Sequence, residues 1–229
     1  ALEQHALGLS GYAFYDNSWY GELGTYRAVS RTLQTKFGLG TDDDPGSLGN
    51  STAYWRLGYF KDLKSSAWSA GVFGFNGSIS PDRSNGPVNR YGDIGIDGQY
   101  QYLGTREHVF TVQGSYVHER QNRNAQFLAG EAEHAIGHLN ELKLNASYHY
   151  QQTWGASVGH FMTSGDRDAT LYAANAGNVP DIAGNIVELT WTPWGKENSW
   201  YAPWANLRLG AQYTMYSKYN GASKNFDGA

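Results

Sequence analysis

The sequence predicts an all-β protein, an antiparallel up-and-down transmembrane β-barrel, on three observations. Apolar and polar residues alternate from Tyr12 to Tyr219 in bursts of about ten residues, and a period of two gives a strand one oily face and one wet face. The breaks between bursts are alternately short and long, as in barrels with tight turns on one side of a membrane and loops on the other. Aromatic residues are 15% of the chain, with 8 Trp and 17 Tyr, and several flank the short breaks, where a membrane interface favours amphipathic rings.

The elements follow in order as hairpins. The first joins Leu7–Tyr15 to Trp19–Val29 at Asp16-Asn17, and the polar loop Arg31–Asn50 follows. The second joins Thr52–Phe60 to Trp68–Ile79 near Asp62–Ser65, before a Pro- and Asn-bearing loop, Ser80–Arg90. The third pairs Tyr91–Tyr102 with His108–His118 through Gly104-Thr105, then runs into the loop Glu119–Gly137. The fourth pairs His138–Tyr150 with Trp154–Thr163 through Gln151-Gln152-Thr153. After the loop Ser164–Gly184 come Ile186–Thr192, a turn at Pro193–Pro203, and the strand Trp204–Tyr216. Long loops at every second connection are uncommon in a soluble sheet. Ten strands are visible in one domain spanning residues 1–229. Both visible ends fall on the long-loop side, so twelve strands are expected in a complete barrel.

Composition limits the alternatives. Charged residues are only 17%, against about 25% in ordinary soluble domains. A mean hydropathy of −0.57 suits a barrel whose strands are half polar. No run approaches the roughly 18 apolar residues of a spanning helix. The chain has no cysteine, which excludes disulfides, thiol catalysis and covalent c-type haem within it. A net charge of −4 argues against nucleic acid as a partner. No leader precedes Ala1, as expected of an exported and processed chain.

The segments Tyr15-Asp16-Asn17-Ser18-Trp19 and Tyr150-Gln151-Gln152-Thr153-Trp154 share one spacing. With Trp194, Trp200 and Trp204 at another short turn, Tyr15, Trp19, Tyr150 and Trp154 form the expected aromatic girdle. The polar members of the alternation are the expected lumen lining: Asp93, Asp97, Gln99, Thr111, Gln113, Glu141, Lys143, Asn145, Glu188, Thr190, Arg208 and Gln212. Leu142, Leu144, Leu207 and Leu209 would face lipid. Such a lumen either passes small polar solutes or is closed by salt bridges.

The runs Thr192-Pro193-Trp194-Gly195-Lys196-Glu197-Asn198-Ser199-Trp200 and Ala202-Pro203-Trp204-Ala205-Asn206-Leu207-Arg208-Leu209-Gly210 resemble a family of proteobacterial outer-membrane proteins. Gly165-Asp166-Arg167-Asp168, Gln101-Tyr102-Leu103-Gly104-Thr105-Arg106, Tyr219-Asn220-Gly221-Ala222 and Asn225-Phe226-Asp227-Gly228 extend the resemblance over about residues 90–229. Members of that family, sometimes labelled cytochrome-like, accompany multihaem cytochromes. The resemblance implies a membrane barrel with a further strand after Gly228, and a periplasmic multihaem cytochrome as a partner. It brings no catalytic residues.

Other chemistry finds little support. His134 and His138, beside Glu131 and Glu133, have a helical metal spacing but read as loop entering strand. Asp42-Asp43-Asp44 with Gly46 offers oxygen ligands without the bidentate Glu of a calcium loop. His149 with Ser147, and His160 with Ser164, lack a third catalytic member, and no G-x-S-x-G, H-E-x-x-H or P-loop run occurs. The expected function is therefore an outer-membrane porin-like channel or sleeve, without enzymatic activity, metal or cofactor, in contact with outer-membrane lipid. The alternative is a soluble β-rich protein that binds carbohydrate through surface Trp and Tyr. The sequence leaves the oligomeric state open.

Overall fold

The computed structural model describes residues 5–39, 46–49, 52–81, 83, 85–202 and 204–224. Ten long strands form one antiparallel sheet: β1 (Ala6–Tyr15), β2 (Trp19–Ala28), β4 (Thr52–Asp62), β5 (Ser66–Ser80), β6 (Asn89–Tyr102), β7 (His108–Asn122), β8 (Ile136–Tyr150), β9 (Trp154–Gly165), β10 (Ile182–Trp191) and β11 (Leu209–Lys218). A two-residue strand, β3 (Ser47–Leu48), pairs with β5. Each long strand pairs with its sequence neighbour, so the topology is up-and-down throughout.

The expected barrel closure is not formed. β1 and β11 are both edges of the sheet, and every residue of β1 is exposed on both faces. Alternation encodes which face a side chain takes, and an open curled sheet shares that code with a closed barrel. Closure needs the first and last strands to come within hydrogen-bonding distance, which the alternation does not specify.

The short connections have the tight geometry their residues suggest. Asp16 and Asn17 adopt φ of 50° and 49°, and Gln151 and Gln152 adopt 51° and 56°. In both turns the last residue donates back to the Tyr carbonyl, Ser18 to Tyr15 at 3.1 Å and Thr153 to Tyr150 at 3.0 Å. The repeated Tyr-x-x-x-Trp segments are thus one turn used twice, with the Tyr and Trp paired across its mouth. Left-handed backbone suits Asn and Gly better than Gln. Gln152→Gly is therefore expected to stabilise the fold by about 0.5 kcal/mol after its entropy cost. A raised denaturation midpoint at constant slope checks this; an unchanged or lowered midpoint contradicts it.

The long connections carry short helices, α1 (Arg31–Lys36) and α2 (Asn124–Leu128). Ser30 caps α1. Asn89 accepts from the backbone N–H groups of Ala125 and Gln126 at the start of α2 (3.0 and 3.4 Å).

Burial is inverted relative to a protein that folds around an oily core. Among the described residues the buried hydrophobics are Val29, Leu48 and Ala132, while Gln34, Thr52, Gln121, Arg123, Asp168 and others are buried and polar. Large apolar side chains stand outside: Leu9 is 78% exposed, Leu23 72% and Leu189 60%. One lateral register row of this outer face reads Trp68, Tyr100, Val112, Ala146, Val158, Val187 and Tyr213.

Candidate functional site

The inner face lines a half-open cavity of about 890 Å3 whose lining runs from Arg56 on β4 to Arg208 just before β11, so the sheet curls around it. Of the residues expected in the lumen, Asp97, Gln99, Gln113, Lys143, Asn145, Glu188, Thr190 and Arg208 line this cavity. Thr111, Glu141 and Gln212 share the inner face by register, beside or in line with Ser147, Lys143 and Glu188. Asp93 lies nearer the long loops, directly across from Glu119.

The fixed charges of the lining are paired. The Arg56 guanidinium donates to both carboxylate oxygens of Asp97, at 2.6 and 2.8 Å, a bidentate geometry. These side chains meet across the intervening strand β5, where Gly71 leaves room. A Cβ there would lie 2.7 Å from an Arg56 nitrogen and 3.2 Å from Asp97 Oδ1. Arg56 also stands 5.7 Å from the Phe73 ring centroid. Arg208 donates to Glu188 at 3.2 Å, and Lys143 pairs with Glu141 at 2.8 Å. Such solvent-accessible pairs contribute little to stability; their consequence is a neutral wall.

Sequence reasoning missed Arg56. Its inner-face neighbours on β4 are Tyr54, Gly58 and Phe60, so no polar series points to it. Ser147, His149 and Ser157 also line the cavity. The side chains of His149 and Thr190 reach over Gly155 from either side, where a Cβ would displace both.

On the outer face, Tyr15, Trp19, Tyr150 and Trp154 stand at the short-turn ends of their strands. They are joined there by Tyr59, Trp68 and Trp191. Ring centroids are 4.8 Å apart for Trp19–Tyr59, 5.3 Å for Tyr59–Trp68 and 5.9 Å for Trp154–Trp191. Trp194, Trp200 and Trp204 occupy the connection between β10 and β11. Trp194 stacks on Tyr201 at 4.8 Å, and Trp204 is 89% exposed. The strand expected from Trp204 begins instead at Leu209, with Trp191–Leu209 as its terminal pair. Pro193 follows β10 and has no N–H to extend that ladder.

At the opposite end the long connections clasp each other. Asp168 is fully buried and accepts from the backbone N–H groups of Glu133 (2.9 Å), His134 (3.1 Å), Thr170 (3.2 Å) and Leu171 (2.9 Å). Arg123, itself 2% exposed, lies 3.3 Å away. Burial opposes ionisation of Asp168, but the N–H groups of Leu171, Glu133 and His134, with the Arg123 charge, outweigh it and hold the carboxyl at about 2. The segments 123–135 and 166–181 are thereby tied together.

The two histidines at metal spacing are held separately. The His134 N–H binds Asp168, and His138 Nδ1 lies 2.8 Å from Asp166. Among the described residues no group of three His, Asp or Glu is placed to hold a metal ion. Asp42-Asp43-Asp44 and Asn225-Phe226-Asp227-Gly228 lie outside the described residues. Comparison with known proteins yields no matching family model, curated protein or solved structure.

Proposed function

We propose that this chain forms the wall of a bacterial outer-membrane β-barrel, a porin-like channel whose polar interior passes small polar solutes. The observation that carries the reading is the inverted burial. Among the described residues three small or mid-sized hydrophobics are buried while the apolar series of nearly every strand faces outward. In water such a surface drives association; in a bilayer it is the face the solvent requires. The aromatic rings at the short-turn ends agree with an interfacial girdle.

Closure into about twelve strands belongs to the same proposal. β1 runs towards the short turns and β11 away from them. An even number of further strands between these edges keeps every pair antiparallel, and two such strands make twelve. The sleeve variant, suggested by the resemblance, would surround a periplasmic multihaem cytochrome in place of solutes. No catalytic role is assigned to any residue in either variant.

The protein is expected to sediment with outer membranes, to need detergent for extraction, and to give conductance steps in planar bilayers. A monodisperse protein in buffer without amphiphile would instead favour carbohydrate binding by exposed rings such as Trp200 and Trp204. Membrane residence without conductance at any voltage would remove the channel and leave the sleeve.

A further inference from the structure

We infer that the inner face carries a binding track for neutral, polyhydroxylated solutes of the saccharide class, a use of the interior that rests on its being the lumen of the barrel proposed above. One lateral register row crosses the cavity wall as Phe60, Ser69, Gln99, Gln113 and Asn145. The amides of Gln99, Gln113 and Asn145 make no hydrogen bond to protein among the described residues. Each amide offers both a donor and an acceptor, so it meets a hydroxyl in either sense. Three successive strands thus present unengaged amides side by side.

The row ends on aromatic rings. The Phe60 ring centroid is 5.8 Å from Phe14 and 6.5 Å from Tyr20, and all three belong to the inner face by register. An apolar platform beside an amide row fits a sugar, whose C–H face packs on rings while its hydroxyls take the amides. The charges point the same way. Around the cavity Arg56, Arg208 and Lys143 each hold a carboxylate partner, and the acidic Glu22, Asp93 and Glu119 lie outside its lining. The track thus crosses a stretch of wall with no uncompensated charge to concentrate ions of either sign.

The test uses the full chain in detergent micelles, with binding followed by calorimetry. Three tetramers are compared: neutral maltotetraose, anionic tetragalacturonate and cationic tetraglucosamine. Maltotetraose is expected to bind, and to bind more tightly than either charged tetramer. Gln113→Leu and, separately, Asn145→Leu are each expected to weaken maltotetraose roughly five- to tenfold; the two lie on different strands, so a folding failure in one leaves the other. Absence of maltotetraose binding, equal or tighter binding of a charged tetramer, or affinity unchanged in a folded variant overturns the track. Membrane partition and conductance are read separately. A protein that inserts and conducts but ignores maltotetraose loses the track and keeps the channel, whereas one that never enters a membrane loses the channel.

Discussion

Asp168→Asn is expected to open the clasp between segments 123–135 and 166–181 while leaving the strands intact. The carboxylate accepts four backbone N–H groups and faces the buried Arg123 guanidinium. An amide keeps one acceptor oxygen, loses the charge, and strands Arg123 without a counterion. Removing one member of a buried charge pair costs about 3–5 kcal/mol. The amide protons of Glu133, His134 and Leu171 should then exchange on the order of 100-fold faster, with β6 to β9 unchanged. The same contact should respond to acid. Because the folded carboxyl titrates at about 2, below its usual value of 3.8, its contribution is complete above that usual value. It is lost as the pH falls through about 2. A lowered folded pKa of this size corresponds to roughly 2–3 kcal/mol. Exchange in these segments that is indifferent to both the substitution and the acid window would show that the clasp is held by something other than Asp168.

The strands were legible where one face is oily and lost where both faces are polar. β7 continues to Asn122, and β8 starts at Ile136, beyond the bounds the alternation suggests. At this end of the hairpin the outer face carries His118, Arg120, Asn122, His138 and Asn140. Asn140 takes a hydrogen bond from Tyr116 at 2.7 Å and lies 2.8 Å from His118 Nδ1, so a polar network replaces apolar rungs and the two-residue contrast disappears. β10 begins early, at Ile182, for the same reason: Ala183, Gly184 and Asn185 give no contrast between its faces. Helices α1 and α2 are too short for a 3.6-residue period to register. Their caps come from Ser30 and from the distant Asn89.

Inner residues of β6, β7, β8 and β10 could be named because their outer neighbours are apolar, giving each strand a clear sign, whereas β9, with Gly155, Gly159 and Phe161 among its inner positions, yielded none. β4 lacks that contrast. Trp55, Leu57 and Tyr59 face one way and Tyr54, Gly58 and Phe60 the other, which hides Arg56 until Asp97 is seen two strands away. The role of Asp168 was equally illegible, since Arg123 and two of its four N–H donors, Glu133 and His134, come from a distant segment. Closure was over-read, because face assignment says nothing about how the first and last strands meet.

The face assignment itself yields the most decisive expected result, from two adjacent residues on β9. Val158 is 56% exposed on the outer face, in the row with Ala146 and Val187; Ser157 points into the cavity. Val158 lies four positions along the strand from Trp154 at the turn. At about 3.3 Å per residue and a tilt near 40°, the proposed barrel would place it roughly 10 Å inside the apolar band, close to mid-height. Val158→Arg is expected to cost about 2–4 kcal/mol in bilayers, where the charge meets hydrocarbon. Ser157→Arg should cost less than about 1 kcal/mol, since its side chain enters a hydrated interior near Glu188. Reversible folding into lipid vesicles followed by denaturant titration measures both. In water the order would reverse or vanish: an exposed Val tolerates Arg within about 0.5 kcal/mol. Equal small losses at the two positions would therefore count against a lipid-facing exterior, independently of any conductance measurement.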